Sequence, residues 1–234
     1  MDRQSTAGRR QLTPETVVGR ALALADSGGL EKVTIRRLAK DLGVTPMALY
    51  WHFRNKDELL DAMMARIFAE VDPALSGSAT WVEQFRALMQ SLAAALRAHP
   101  GVAPLFATRT NSSEGSLRFT EVALDVLRRG GFSPTEATQA SRHALSTIVN
   151  QVAGEPGFIS PEDPGELLDA RRRARLYLEA LPPDRYPRLV EAAVPLSAPE
   201  DPEAYYEFGL DLLLSGVEEM AARKRPGPAR SERR

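Results

Sequence analysis

TIRRLAKDLGVTPMALYWHFRNK, Thr34 to Lys56, is the stretch whose reading decides the fold. It reads as two short helices joined by a tight turn. Thr34 caps the first, whose buried stripe is Ile35, Leu38, Ala39 and Leu42, and Gly43 is a natural left-handed stop. Thr45 caps the second and Pro46 takes its first position, with Val44 and Leu49 spaced as a hydrophobic staple. At about 100° per residue, Leu49 and Phe53 share one face of that helix and pack on Leu38 and Leu42. Met47 and Trp51 then project from the opposite face, flanked by Tyr50 and His52. Burying Tyr50 and Trp51 instead would turn Leu49 and Phe53 to solvent and strand their partners on the preceding helix.

A soluble chain needs a reason to hold large aromatics outside its core, and reading the edges of DNA bases is one. In that role Pro46, Met47 and Trp51 meet thymine methyl groups, and Arg36, on the outward face of the first helix, makes a bidentate contact to guanine. Thr45, Tyr50, His52 and Lys56 serve the phosphates, as do Arg37 and Lys40. Thr34 is first a cap and only second a DNA contact.

Working outward, a preceding helix starts at Thr13-Pro14, carries Val18, Ala21, Leu22 and Ala25, and stops at Gly28-Gly29. A following helix opens on Asn55 and Glu58, spaced as a capping box, and runs to about Val71. Pro73 and Ser76–Ser78 mark a change of layer. Beyond it, Trp81–His99 and Glu114–Arg129 are apolar-periodic helices separated by a loop-rich segment. Helix 134–153 is announced by Ser133 and Glu136. Further helices are expected near 166–181 and 185–194, after a break over 155–165, and a last one runs from Asp201-Pro202 to about Arg223. The division predicted is a disordered basic tail over 1–11, a head over 12–72, a body over 73–223 and a disordered tail over 224–234. The fold class is all-α: a three-helix, helix-turn-helix DNA-binding domain followed by a helical bundle for ligand binding and dimerisation.

Composition agrees with such a chain and excludes other classes. The 234 residues are 43% hydrophobic and 26% charged, ordinary values for a globular protein. There is no cysteine, so no disulfide or thiolate chemistry. The N-terminus lacks an apolar signal core and no apolar run approaches membrane-spanning length, so a cytoplasmic location is expected. Residues 1–60 hold ten Lys and Arg against seven Asp and Glu, while residues 61–200 hold fourteen against seventeen, placing a basic head on an acidic body. No HExxH, nucleophile elbow, P-loop or dinucleotide fingerprint is present, and an enzyme is not expected.

Residues 12–72 resemble the DNA-binding domain of the tetracycline-repressor (TetR) family, through T-[IV]-R-x-L-A-x-x-L-G-V-x-x-x-x-L-Y-x-H-F-x-[NS]-K, present as Thr34 to Lys56. The remainder is more loosely similar to the regulatory core of that family, through HPGVAPLFATRT and the paired helices after it. The resemblance implies an all-helical homodimer that represses transcription and leaves its operator when a small molecule binds. It places the dimer interface on helices near 134–153 and 202–223. Ala140, Ala144, Leu145, Ile148, Val149 and Val152 on one helix, and Leu210, Leu213, Leu214 and Val217 on the other, suit that interface or packing within the subunit equally.

The same resemblance sets the effector pocket among Phe85, Leu88, Met89, Leu92, Leu105, Phe106, Thr108, Arg109, Phe119 and Ala123. Most of these serve an ordinary core equally well. Arg109 either meets an acidic or carbonyl group of a ligand or ends a helix in solvent. The tetracycline repressors take their drug as a magnesium chelate held by histidines. Here Leu105 and Asp72 stand in place of those histidines, and Leu88 in place of a gripping amide, so a more apolar effector is expected, with no metal and no cofactor. An effector-independent DNA-binding protein and a helical interaction protein are the rival readings.

Overall fold

The computed structural model describes residues 12–71, 78–109, 113–153, 164–197 and 202–224, and among them the secondary structure is helical throughout, without a strand. The head is built from α1 (Pro14–Gly28), α2 (Ile35–Leu42) and α3 (Pro46–Tyr50), with a 3-10 turn at Leu30–Lys32. The Thr13 hydroxyl caps α1 by accepting the Thr16 N–H at 3.3 Å. Six apolar side chains of α1 are buried, from Val17 to Ala25. Helix α2 ends as its glycine requires: Gly43 has φ 68°, and the N–H groups of Gly43 and Val44 donate to the carbonyls of Lys40 and Ala39. Those paired bonds satisfy two carbonyls that would otherwise be orphaned and turn the chain sharply into α3. An ion pair from Arg20 of α1 to Asp41 of α2, 2.8 Å long, closes the outside of this layer.

The second helix of the pair is shorter than its pattern, ending at Tyr50. Its buried face continues regardless, because the N–H groups of His52 and Phe53 both donate to the Leu49 carbonyl at 2.9 Å. Helix α4 (Lys56–Glu70) follows, capped by Asn55, which accepts the Glu58 N–H at 2.8 Å. The expected capping box is displaced by one residue: the Glu58 carboxylate accepts the N–H of Arg54, at 2.7 Å, rather than that of Asn55.

Helix α4 joins the layers. Leu59, Leu60, Met63, Met64, Ile67 and Phe68 are all buried, and on a helical wheel they cover about 180°. That arc is wider than the stripe a single neighbour needs. Helix α1 takes one side of it, and α5 (Trp81–Ala98) and α7 (Glu114–Arg129) take the other. A single hydrophobic cluster consequently runs from Val17 in the head to Ala221 at the end of the chain's last helix.

In the body, α5 packs on α7, on α8 (Pro134–Ala153) and on α12 (Pro202–Ala222). Thr80–Glu83 and Ser133–Glu136 form capping boxes at the starts of α5 and α8. The segment between α5 and α7 is more ordered than its Pro and Gly content suggests: a 3-10 turn at Pro100–Val102 leads into α6 (Ala103–Thr108), which packs on α8. Val102, Ala103, Leu105 and Phe106 are buried there, too few in a row to show a helical period. Helix α9 (Pro164–Glu179) begins two residues before its expected start. The single helix expected over 185–194 is two short ones, α10 (Pro187–Glu191) and α11 (Ala193–Ser197), packed on α9 and on each other.

One open alternative is decided for several residues, and one boundary shifts. Ala140, Ala144, Ile148, Val149 and Val152 on α8, and Leu210, Leu214 and Val217 on α12, are buried within the subunit itself, so they form intrasubunit core. Lys224, grouped by sequence with the C-terminal tail, is held by the Glu136 carboxylate and lies 4.7 Å over the Phe132 ring. Residues 1–11 and 225–234, Pro73, and the break as far as residue 163 lie outside the described residues.

Candidate functional site

The exposed face of the helix-turn-helix is fixed by what α3 buries. Leu49 is 0% exposed and Phe53 4%, whereas Met47 is 67% exposed and Trp51 85%. Two faces of one short helix thus differ as widely as core and bulk surface. Pro46 and Tyr50 are exposed beside Met47 and Trp51, and His52 is half-buried on the other flank. Arg36 and Arg37 are exposed on α2, and neither forms an ion pair among the described residues. Thr34 and Thr45 both act as caps, their hydroxyl oxygens accepting the N–H groups of Arg37 at 3.2 Å and Ala48 at 3.4 Å. An accepting hydroxyl keeps its own proton for an outside acceptor. The Lys56 ammonium donates to the Leu30 carbonyl at 3.3 Å and retains two further donors. The head carries the eleven sequence-predicted DNA residues, Lys40 included, on α2, on α3 and the turn after it, and at the start of α4, and none of them is buried.

In the body, the residues singled out for a ligand divide into two groups. Phe85, Met89, Leu92, Leu105, Phe106 and Ala123 are buried core. Leu88 and Phe119 line a cleft of about 380 Å³ between α4, α5 and α7. The Thr108 side chain lies outside the described residues. Sequence reasoning missed the other walls: Ala65 and Ala69 on α4, and Gly115, Arg118 and Val122 on α7. Gly115 is small for a reason, since a Cβ there would lie 2.9 Å from the Phe68 Cβ. Small residues at 65, 69 and 115 carry a signal only once α4 and α7 are known to face each other. A second cleft of about 230 Å³ opens between α7 and α8 and shares Phe68 and Phe119 with the first. Among the described residues no cluster of His, Asp and Glu is placed to hold a metal ion.

Arg109 ends a helix, one of the two roles expected from sequence, but with its guanidinium paired rather than in solvent. It caps α6 and reaches α4, donating to the carboxylate of Asp61 at 3.0 Å and to that of Asp57. Partial burial works against its charge, but the hydrogen bonds and negative charges of Asp57 and Asp61 outweigh this and raise its pKa. A second joint lies at the end of α5. Asp26 of α1 accepts from the Gly101 N–H at 3.0 Å and meets His99 Nδ1 at 2.9 Å. Gly101 itself sits so close to α1 that a Cβ would fall 2.2 Å from the Ala25 carbonyl oxygen. Body and head are thus joined at two polar points as well as through the shared core.

Known proteins agree with this arrangement. Residues 18–63 match the family described as bacterial regulatory proteins, tetR family, and residues 73–221 match the tetracyclin repressor-like C-terminal domain. The tetracycline repressor protein class A from transposon 1721 of Escherichia coli is 30% identical over 237 residues, covering 95% of this chain and 99% of that one. The Streptomyces coelicolor TetR family protein ActR, solved in complex with actinorhodin, superposes with a TM-score of 0.75 at 26% identity, covering 90% of this chain and 99% of that one. A possible TetR family transcriptional regulator from Streptomyces coelicolor A3(2) gives a TM-score of 0.72 at 32% identity, over 89% of this chain and 100% of that one. With its reading helix, its helical body and both family matches in register, the chain belongs to the TetR family of DNA-binding transcriptional regulators.

Proposed function

We propose that the chain is a homodimeric, cytoplasmic repressor that grips its operator with two heads and is released by a small, largely apolar effector bound against α4. The observation that carries this reading is the pairing of buried Leu49 and Phe53 with exposed Met47 and Trp51 on α3. Arg36, Pro46, Met47 and Trp51 read bases, while Arg37, Thr45, Tyr50, His52 and Lys56 hold phosphates, with Thr34 in support. The working division is a head over 12–72 and a body over 73–223, in keeping with the two stretches that match the family.

One head offers a single short helix, and a second half-site about one DNA turn away supplies the missing specificity. Helix α12 has the surface for such a pairing. Leu210, Leu214, Val217 and Ala221 are buried on one face, and Phe208, Leu212 and Met220 are exposed on the other at steps of four residues around Gly216. A second apolar stripe with a glycine at its centre suits close two-fold contact with a copy of itself.

Release works through α4. Its start sits beside the reading helix and is tied to Arg109, and its end, at Phe68, forms a wall of both clefts. An effector that favours one position of α4 changes the spacing of the two reading helices. Full switching needs a differential affinity of about 5.5 kcal/mol between the two positions.

Selection of bound sequences from a random DNA pool should return a two-fold site with half-sites one turn apart. Gel shifts on that site across a library of lipophilic compounds should then find compounds that release it. A one-sided site, or binding indifferent to the whole library, would overturn the dimeric or the effector-released reading respectively. Tetracycline should not bind with Mg²⁺-dependent affinity tighter than about 1 µM.

A further inference from the structure

The two clefts share one aromatic pair as a wall. Phe68 and Phe119 lie 5.5 Å apart, tilted by 46°, and each lines both clefts. Among the described residues, every charged side chain that lines either cleft is cationic. Arg118 lines the α4–α7 cleft and Arg142 the α7–α8 cleft, and no described Asp or Glu lines either. Arg118 has a loose, exposed contact to Glu114 at 3.8 Å. Arg142 forms no ion pair among the described residues. The α8 wall of the second cleft is hydroxylic, presenting Thr138 and Ser141 one turn before Arg142 and beside it. The Thr138 hydroxyl already donates to the Pro134 carbonyl at 2.9 Å, so toward the cleft it is an acceptor.

Within the effector-released reading above, we propose that the α7–α8 cleft, walled by Phe68 and Phe119, takes an acidic, phenolic aromatic compound. Its fused rings lie against Phe68 and Phe119, its phenolic hydroxyl donates toward Thr138, and its carboxylate meets the Arg142 guanidinium. Each part follows from the wall it faces. Aromatic faces favour a flat apolar body, an occupied hydroxyl donor asks the ligand to donate, and a planar guanidinium matches a carboxylate fork. The positive charge of Arg142 in the lining disfavours a cationic ligand, which would lose hydration on entry beside a like charge.

The probes are 6-hydroxyanthraquinone-2-carboxylate, whose phenol is free to donate, and its matched 2-hydroxymethyl and 2-aminomethyl counterparts, neutral and cationic respectively. Binding to the full chain is measured by titration calorimetry without DNA. The carboxylate should bind at least about tenfold more tightly than the neutral compound, with the cation weakest. Arg142→Gln should remove that preference while leaving affinity for the neutral compound and the thermal midpoint unchanged. A neutral or cationic probe that binds as well as the carboxylate would overturn the proposal, and so would a preference that survives Arg142→Gln. The operator-release library separates the two levels. If lipophilic compounds release the operator while the carboxylate shows no advantage, the ligand class falls and the effector reading stands. If nothing in the library releases it, the effector reading itself falls.

Discussion

The reading face and the body's cleft are both made of large apolar side chains, yet they stand in opposite relations to water. On α3, Met47 and Trp51 are held out by a helix whose other face is fully occupied in gripping α2. In the body, Phe68 and Phe119 are buried and form part of the cleft's wall. Exposure in the head is therefore imposed by packing two residues away, whereas the cleft is what remains where Ala65, Ala69 and Gly115 fail to fill the space between helices. One site is made by what is buried beside it and the other by what is small within it. Mutations should separate the two logics.

The largest effect is expected at Leu49, which anchors the exposed face and is 0% exposed. Leu49→Ala should cost about 2–5 kcal/mol of stability through the lost transfer energy and the cavity left behind. Urea denaturation should show a lower midpoint, and operator binding should fall with it. At the joint, Gly101→Ala places a Cβ 2.2 Å from the Ala25 carbonyl oxygen. Backbone must move, and the overpacking should cost about 1–3 kcal/mol. It should also alter operator affinity although residue 101 is remote from α3 in sequence. A variant with wild-type stability and affinity would show that α1 does not depend on this contact.

Trp51→Ala makes the sharpest contrast with Leu49→Ala, two positions away at the C-cap of α3. It should weaken specific operator binding by about 1–3 kcal/mol, with the urea midpoint unchanged. If Trp51→Ala destabilised the fold as Leu49→Ala does, the division of α3 into a packed and a reading face would be wrong.

How much of this was legible in the sequence follows the same division. The head announces itself because caps, a left-handed glycine and a packed stripe fall at fixed offsets within 23 residues, and the structure realises Thr34, Gly43, Thr45 and Asn55 in the roles their chemistry predicts. The body's helices were legible by periodicity, as at Glu114–Arg129, but α6 was not, since four buried residues after a proline give no period. Pairings between distant elements left no trace in one sequence. Arg109 shows this best: its spacing reveals a lone cation, and only the packing of α6 beside α4 supplies Asp57 and Asp61. The stripe on α12 shows the converse, because its buried and exposed leucines look alike until α5 and α8 cover one face.

The smallest expected effect confines itself to the body and leaves the head untouched. Glu136 accepts a hydrogen bond from the Lys224 ammonium and others from the Ser133 N–H and hydroxyl, which together hold its carboxyl at about 2, well below 4.5. A carboxyl whose pKa is depressed by folding adds stability that is fully present above its unfolded pKa and lost as pH falls through its folded one. The contribution should therefore be intact at pH 6, decline between pH 4.5 and about 2, and vanish below that. Glu136→Gln keeps the shape and removes the charge, so the gap between the urea midpoints of wild type and variant should close over that window. A gap that stayed constant with pH would mean that Lys224 and the α8 cap do not depend on the carboxylate's charge. Operator affinity at neutral pH should not change, because the pair ties the end of α12 to the start of α8, away from α4 and from both joints to the head.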